Sequence, residues 1–346
     1  MPKTIEPSDN TFDFDNVPTP WLTPFYLQLQ QTYHQGRFPH GLLFTGHTGV
    51  GKYKLAKQLS QFLLCTDKQE NDACFKCHSC QLFAANNHLD FHLLEAEKSK
   101  SIGIEQIRLL TDSLNERPQL GNNKVVLING AEQLTESAAN ALLKTLEEPQ
   151  GDSYLILLTQ THHHLMPTLL SRLQQTHLHT PDDQMLIDWL FELGYQVSDF
   201  GVLRCFQNSP LALLEHLDAL KKDAMLDTRR HSVEGVFNML YQAESLFSFS
   251  QMITKNVEQH LLLLFYLLHD LHRMKVSHSQ LNEDAIYYFA APQLEIWQSQ
   301  LSLKSLRLLS AEILKTRNLL INHSGLKKEL LITALLIKIK NEFKES

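Results

Sequence analysis

Four short apolar runs in the first half of the chain alternate with segments of helical character. The runs have the length and composition of buried strands, and they occupy residues 41–45, 90–95, 124–128 and 154–159. Between them, the placement of apolar residues predicts helices over residues 20–35, 52–64 and 104–114 and a further helix that Thr135 can cap. Strands that alternate with helices predict an α/β domain with a parallel sheet covered on both faces.

From about residue 181 the strand patterns end and only helical patterns remain. Short helices over residues 181–220 and longer ones over 221–346 predict two all-α domains that follow an α/β domain at 20–180. Residues 1–19 mix Pro, Asp, Asn and Thr with little periodicity, which indicates a mobile N-terminal arm. The longest apolar block, at 261–268, is too short to span a bilayer, so we interpret it as a buried helix.

Composition and charge narrow the function classes. The chain is 43% hydrophobic and 20% charged, as in ordinary soluble proteins, and residues 1–20 carry no secretory pattern, so we expect a cytoplasmic protein without membrane contact. The net charge of −7 divides into −10 for residues 1–220 and +3 for residues 221–346. Neither part has the strong basic excess of an autonomous nucleic-acid-binding protein.

A phosphate-loop motif follows the first predicted strand. Its spacing is G-x-x-x-x-G-K, with Gly46, Gly49 and Gly51 in the loop and Lys52 at the start of the next helix. Such glycines let backbone N–H groups converge on phosphate oxygens, and the lysine supplies a mobile charge. The next position, normally Ser or Thr for the magnesium shell, is Tyr53. The alternative is a glycine-rich strand–helix turn with a surface lysine.

The third predicted strand ends without the acidic pair of a phosphate-loop ATPase. In that class the strand ends in Asp-Glu, which hold magnesium and polarise the attacking water. Here these positions are Asn129 and Gly130, and Glu132 is placed two residues further on, in the following turn. We therefore expect no hydrolysis, and nucleotide binding through Gly51 and Lys52 is doubtful.

Four cysteines are spaced C-x8-C-x2-C-x2-C, as Cys65, Cys74, Cys77 and Cys80. Four thiolates suit tetrahedral zinc, and each two-residue gap lets a tight turn bring two sulfurs to one ion. A closed shell of four protein ligands leaves no open position for catalysis, so the predicted zinc is structural. His78 could substitute as a ligand, and reduced cysteines without metal are the alternative.

In combination these motifs resemble the bacterial clamp-loader AAA+ family, over roughly residues 20–180. The matching stretches are residues 20–22, 40–46 with the loop, the four cysteines, 101–108, 118–121, 139–149 and 167–172. The resemblance implies a zinc-bearing AAA+ domain with the zinc module at 65–80, a small helical lid at 181–220 and a helical collar at 221–346. The collar would join a ring of five with one delta and three gamma or tau subunits.

That assembly would use ATP to open the sliding clamp and load it on primed DNA, as part of the DNA polymerase III holoenzyme. The altered loop and strand end resemble the family's non-hydrolysing subunit. Ser171 and Arg172, expected at the start of a further helix, match the motif whose arginine reaches a neighbouring ATP site; the alternative is an arginine that caps its own helix. Two other functions remain open: a self-sufficient gamma-type ATPase, and a DNA-binding module built on the zinc cluster and basic tail.

Overall fold

The structure is a computed structural model. Its residues divide into two compact units, each defined by the contacts that its residues make with one another. It describes residues 17–69, 72–96, 101–121, 123–149, 151–160, 163, 165–197, 199–222, 228–242, 245–277, 280–282, 285–322 and 326–345. The first unit consists of the described residues up to Asp182 with Ser209–Ala212, and the second of Asp183–Asn208 with the described residues from Leu213 on. The predicted arm lies outside the described residues, apart from residues 17–19.

A five-stranded parallel sheet forms the centre of the first unit. The strands are β1 Gly41–Thr45, β2 Phe91–Glu95, β3 Asn123–Asn129, β4 Asp152–Thr159 and β5 Gln174–His177. Their order is β2-β3-β4-β1-β5, and every neighbouring pair is parallel. The four predicted strands are confirmed. The prediction of a helix that begins near Ser171 and Arg172 is wrong. The chain forms the polar edge strand β5 there instead.

Six helices belong to the first unit. They are α1 Thr23–His34, α2 Lys52–Leu64, α3 His78–Ala84, α4 Ile104–Asn115, α5 Glu136–Glu147 and α6 Pro167–Leu170. One face of the sheet packs on α4 and α5 through a core that includes Leu43, Val126 and Ile107. On the other face α2 contacts β3 and β4. Both faces are therefore covered, and the near-continuous apolar composition of the inner strands β1, β3 and β4 follows from that burial.

Asp90 joins the start of β2 to the segment that leads into β3. Its side chain is fully buried, and its two oxygens each accept one backbone hydrogen bond, from the N–H of Gln119 at 2.8 Å and of Leu120 at 2.9 Å. A hydrogen bond to a carboxylate contributes on the order of 1.5–3 kcal/mol, and these two bonds fix the backbone of Gln119 and Leu120 against a fully buried side chain.

Asp90→Ala is therefore expected to lower the free energy of unfolding by about 3 kcal/mol or more. Urea denaturation followed by tryptophan fluorescence measures the loss. Asp152→Ala is the control, because Asp152 is an exposed carboxylate at the start of β4 and should cost less than about 0.5 kcal/mol. Equal losses in the two variants would contradict the role given to Asp90.

The second unit is entirely helical among the residues that the structure describes. Its helices are α7 Asp183–Glu192, α8 Gly201–Cys205, α9 Pro210–Lys222, whose first residues belong to the first unit, α10 Thr228–Tyr241, α11 Ser245–Lys255, α12 Val257–Ser277, α13 Ala291–Gln300, α14 Leu303–Asn322 and α15 Lys328–Glu345. None of the helices in the described ranges is both long and apolar enough to cross a membrane.

Residues 183–208 contact later parts of the same unit, namely α10 and the segment around Ile286. Arg229 on α10 binds the Asp199 carboxylate at 2.7 Å and the Ile286 carbonyl at 3.1 Å. Gly201 packs so closely that a Cβ there would lie 2.5 Å from the Ile286 oxygen. The all-α character is confirmed, whereas the division into parts at 181–220 and 221–346 stays a prediction.

Candidate functional site

The phosphate-loop motif lies at the edge of the sheet where the parallel strands end. The loop connects β1 to α2, and Glu95, Asn129 and Thr159 are the last residues of β2, β3 and β4. These ends surround a cavity of about 560 Å³. Its lining includes Thr48, Gly49, Gly51, Lys52, Tyr53, Glu95, Asn129, Gly130, Glu132, Thr159, Gln160 and Leu211. In open α/β sheets this edge is the usual position of a ligand site.

Gly51 shows why the loop needs glycine. Its φ of 102° lies in the left-handed region, and a Cβ would meet the Leu22 side chain at 2.8 Å. Trp21 supports the loop from the same side, because its indole N–H donates to the Val50 carbonyl at 2.8 Å. The Pro20–Leu22 segment therefore packs directly against the loop.

Lys52 turns back onto its own loop. Its ammonium donates to the carbonyls of Gly46 at 2.7 Å and His47 at 3.0 Å. Burial lowers the pKa of Lys52 to about 8, and the nearby Glu132 carboxylate partly opposes that shift. The charge that the motif supplies is thus present, and it is already bound by loop carbonyls.

The three altered positions of the motif all line the cavity. Tyr53 stands in the first turn of α2, and the Lys57 ammonium lies 5.7 Å from its ring centroid. The Asn129 amide donates to the Glu95 carboxylate at 2.7 Å, across the β2–β3 register pair. Gly130 has a φ of 84°, and a Cβ there would lie 3.1 Å from the Gln133 side chain. A glutamate at this position would therefore be strained.

Glu132 is a cavity residue that sequence reasoning left out. It belongs to the 3-10 helix Ala131–Gln133, which begins directly after β3 and Gly130. The turn after β3 therefore brings its side chain to the same cavity as Lys52. Residue spacing places Glu132 in the turn that follows β3, and the structure has it there, but spacing alone does not show that this turn borders the cavity.

The four cysteines form a compact cluster whose sulfurs all lie within 4.8 Å of one another. The Cys65 sulfur is 3.6 Å from that of Cys74 and 3.9 Å from that of Cys77, and the sulfurs of Cys74 and Cys80 are 4.0 Å apart. A tetrahedral zinc with Zn–S bonds of about 2.3 Å requires sulfurs about 3.8 Å apart. The cluster fits that metal, and His78 is an exposed side chain outside it.

Two of these cysteines lie at helix ends, and the sulfur of each accepts a hydrogen bond from a backbone N–H group. Cys77 is the N-cap of α3 and accepts from the Cys80 N–H at 3.4 Å, while the Cys65 sulfur accepts from the Cys74 N–H at 3.3 Å. Burial would raise the pKa of Cys77, but hydrogen bonds from Thr66 and the Cys80 N–H lower it to about 5. Burial raises the pKa of Cys65 and Cys80. The site therefore favours at least one thiolate before any metal binds.

Ser171 and Arg172 follow the short helix α6 and precede β5. The Arg172 guanidinium donates to the Thr168 carbonyl at 2.8 Å and to the Ser171 hydroxyl at 3.2 Å, and it forms an ion pair with Glu147 at 2.5 Å. The described residues that line the loop cavity do not include Ser171 or Arg172. The arginine is thus held in a defined position, apart from the phosphate loop of its own chain.

Comparison with known proteins decides the family. The family described as "DNA polymerase III, delta subunit" matches residues 22–182. The DNA polymerase III subunit delta′ of Haemophilus influenzae is 40% identical over 171 residues, which cover 49% of this chain and only 52% of that protein. The subunit delta′ of Escherichia coli K12 is 33% identical over 328 residues, covering 93% of this chain and 95% of that protein.

This chain belongs to the DNA polymerase III subunit delta′ family. The resemblance to the clamp-loader AAA+ family, and within it to the delta′ subunit, is confirmed. The delta′ fold here combines the α/β phosphate-loop domain, the cysteine module and helical C-terminal parts. Among solved structures, a gamma-subunit-related protein of Thermotoga maritima aligns with this chain with a TM-score of 0.45 and 18% identity, over 92% of this chain and 99% of that one.

In this delta′ family member a buried polar network anchors the cysteine module to the sheet. The Ser79 hydroxyl donates to the Leu64 carbonyl at 2.7 Å, so its oxygen is left to accept from His88 Nε2 at 2.8 Å. His88 Nδ1 accepts from the Asp90 N–H at 3.1 Å, which requires the neutral ring. Burial lowers the pKa of His88 and so favours the same state. These hydrogen bonds connect the cysteine module to the end of α2 and to the residues that precede β2.

Proposed function

We propose that this chain is the non-hydrolysing delta′ subunit of the DNA polymerase III clamp loader. In this role it assembles with delta and with gamma or tau subunits, and the complex loads the sliding clamp on primed DNA. The chain is not an enzyme by itself. Its contribution to catalysis is Arg172, which it supplies to the ATP site of a neighbouring subunit.

The observation that carries the proposal is the set of residues at the phosphate-loop cavity. Hydrolysis needs a small hydroxyl after the lysine and acidic residues at the end of β3, and these positions hold Tyr53, Asn129 and Gly130. Asn129 is already bound to Glu95, and Gly130 has a backbone conformation that disfavours glutamate. A chain with this cavity is better suited to assembly than to turnover.

The position of Arg172 supports action in trans. An arginine that stabilises charge on a transferring phosphoryl group must be fixed in place and must keep donors free for phosphate. Of the five guanidinium protons, three are used by Thr168, Ser171 and Glu147, and no other described residue accepts the remaining two. Its side chain is 34% exposed, which leaves it accessible to a partner.

The cysteine module has a structural role in this proposal. Cys65, Cys74, Cys77 and Cys80 would hold one zinc ion, and the metal would fix the segment between α2 and α3 without taking part in hydrolysis. Because the donor set is complete with four sulfurs, we assign the zinc no substrate position. We expect the assembled complex to work in the cytoplasm, where replication takes place.

A mixing experiment tests the proposal. The purified chain is assayed for ATP hydrolysis alone, and then with gamma, delta, sliding clamp and primed DNA. We expect no hydrolysis by the chain alone, and assembly with strong stimulation of ATP turnover when it joins the mixture.

Two outcomes of that experiment favour other functions. Hydrolysis by the chain alone, abolished by Lys52→Ala, identifies a self-sufficient gamma-type ATPase. Tight, salt-dependent binding of the isolated chain to DNA identifies a DNA-binding module that uses the cysteine module or the basic residues of α14 and α15. Absence of assembly with gamma and delta also contradicts the proposed role.

A further inference from the structure

The phosphate loop already has internal partners for the groups that would hold a nucleotide. Lys52 gives two of its three ammonium protons to the carbonyls of Gly46 and His47. On the opposite side of the loop, the Gly49 carbonyl accepts from the Leu211 N–H at 2.9 Å. Leu211 also lines the cavity, and it belongs to the same compact unit as the loop.

Among the described residues, Glu132 is the acidic group that acts on the Lys52 charge. The two side chains line the same cavity without forming a direct ion pair, and the Glu132 carboxylate acts on the Lys52 ammonium through space, since it raises the pKa of Lys52 against the effect of burial. Its Oε2 atom is buried and accepts no hydrogen bond from any of the described residues. A buried carboxylate oxygen in this state is stabilised mainly by a neighbouring positive charge, because no donor compensates for its lost hydration.

The backbone on both sides of Glu132 is fixed. The Gln133 N–H donates to the Gly130 carbonyl at 2.9 Å and closes the turn after β3. The Gln133 carbonyl accepts from the Ile102 N–H at 2.8 Å, and the Thr135 N–H donates to the Ile102 carbonyl at 3.0 Å. Glu132 is therefore held near the loop and does not depend on a flexible segment for its position.

We propose that Glu132 takes the place of nucleotide phosphate as the counter-charge of Lys52 and thereby excludes nucleotides from the loop. This inference rests on the proposed non-hydrolysing function and adds the residue that keeps the cavity free of nucleotide. A bound polyphosphate would have to displace Lys52 from its carbonyls and would place its negative charge beside the Glu132 carboxylate. Repulsion between like charges in a partly buried site opposes that binding.

The test compares nucleotide binding by wild type and by two Glu132 variants. ATP and ADP are titrated into the full chain by calorimetry, with and without magnesium. Glu132→Gln keeps the shape of the side chain and removes its charge, and Glu132→Ala removes the whole carboxylate. Both should bind ADP at least about tenfold more tightly than wild type, the change expected when an unfavourable charge contact is lost.

Glu136→Gln is the matched control, because Glu136 is an exposed glutamate in the first turn of α5 and does not line the cavity. We expect it to change ADP affinity by less than about threefold. Unchanged affinity in both folded Glu132 variants overturns the inference, as does tight ADP binding by wild type or an equal gain in the Glu136 variant. None of these results bears on hydrolysis: ATP turnover by the wild-type chain alone is what contradicts the proposed function, so the two failures are distinguishable.

Discussion

Replacement of Arg172 by alanine is expected to lower ATP turnover at the neighbouring site by about 10³-fold while the complex still assembles. The guanidinium is held in a defined orientation by hydrogen bonds to Thr168 and Ser171 and by an ion pair with Glu147. An arginine already in place acts in the transition state without a cost for its ordering. Alanine removes that charge and leaves the sheet core intact, because Arg172 is partly exposed.

The measurement is DNA-stimulated ATP turnover of the reconstituted complex, with size-exclusion chromatography to verify assembly. Arg108→Ala is the control, since Arg108 is another exposed arginine in an ion pair, with Glu105 on α4. Normal turnover with Arg172→Ala in a complex of normal composition would refute the role in trans. Loss of assembly in that variant alone would show that Arg172 is an interface residue.

Removal of zinc is expected to destabilise the first unit by on the order of 5 kcal/mol. Structural zinc sites contribute about 10–16 kcal/mol of apparent binding free energy in isolated peptides, and part of that is retained where the surrounding chain is already folded. The loss should be largest around Cys65 and Cys80, which are both buried against Ala73. Metal analysis of the chain purified without chelator should give about one zinc per molecule.

Cys77→Ser and Cys205→Ser separate the metal site from a general effect of cysteine loss. Cys205 is the fifth cysteine, located on α8 in the second unit. Cys77→Ser should release zinc to a colorimetric chelator and lower the melting temperature, whereas Cys205→Ser should do neither. A chain that contains no zinc and melts at the same temperature with and without chelator would show that the cysteines are structural thiols.

Hydrophobic pattern predicted four of the five strands: β1, β3 and β4 are almost entirely buried, and β2, although partly exposed at the other edge of the sheet, still carries Phe91, Leu93 and Leu94. β1 and β4 pair in the centre of the sheet and are built almost entirely from apolar side chains. β5 has the sequence Gln-Gln-Thr-His and lies at the edge, where three of its four side chains are exposed. Such a strand is defined by its backbone pairing with β1, and its composition carries no signal of its own.

Some residues of the candidate site could likewise be predicted from their spacing in the sequence, and others could not. The loop residues and the four cysteines are close in sequence, so their spacing limits where they can lie in space. Glu95 and Glu132 reach the cavity because neighbouring parallel strands end at one edge and because the turn after Gly130 is tight. Those contacts depend on strand order and on a left-handed glycine, which local sequence does not specify.

Gly130 also limits how the chain could evolve. A single substitution to glutamate would place a β-carbon in a left-handed conformation, which costs a non-glycine residue about 1–2 kcal/mol, and would press it against Gln133. A variant with the acidic pair and the small hydroxyl of a phosphate-loop ATPase would need to reshape this turn as well as replace Tyr53 and Asn129. Intermediate steps would lower stability before they brought any catalytic advantage, so single substitutions toward that motif are disfavoured.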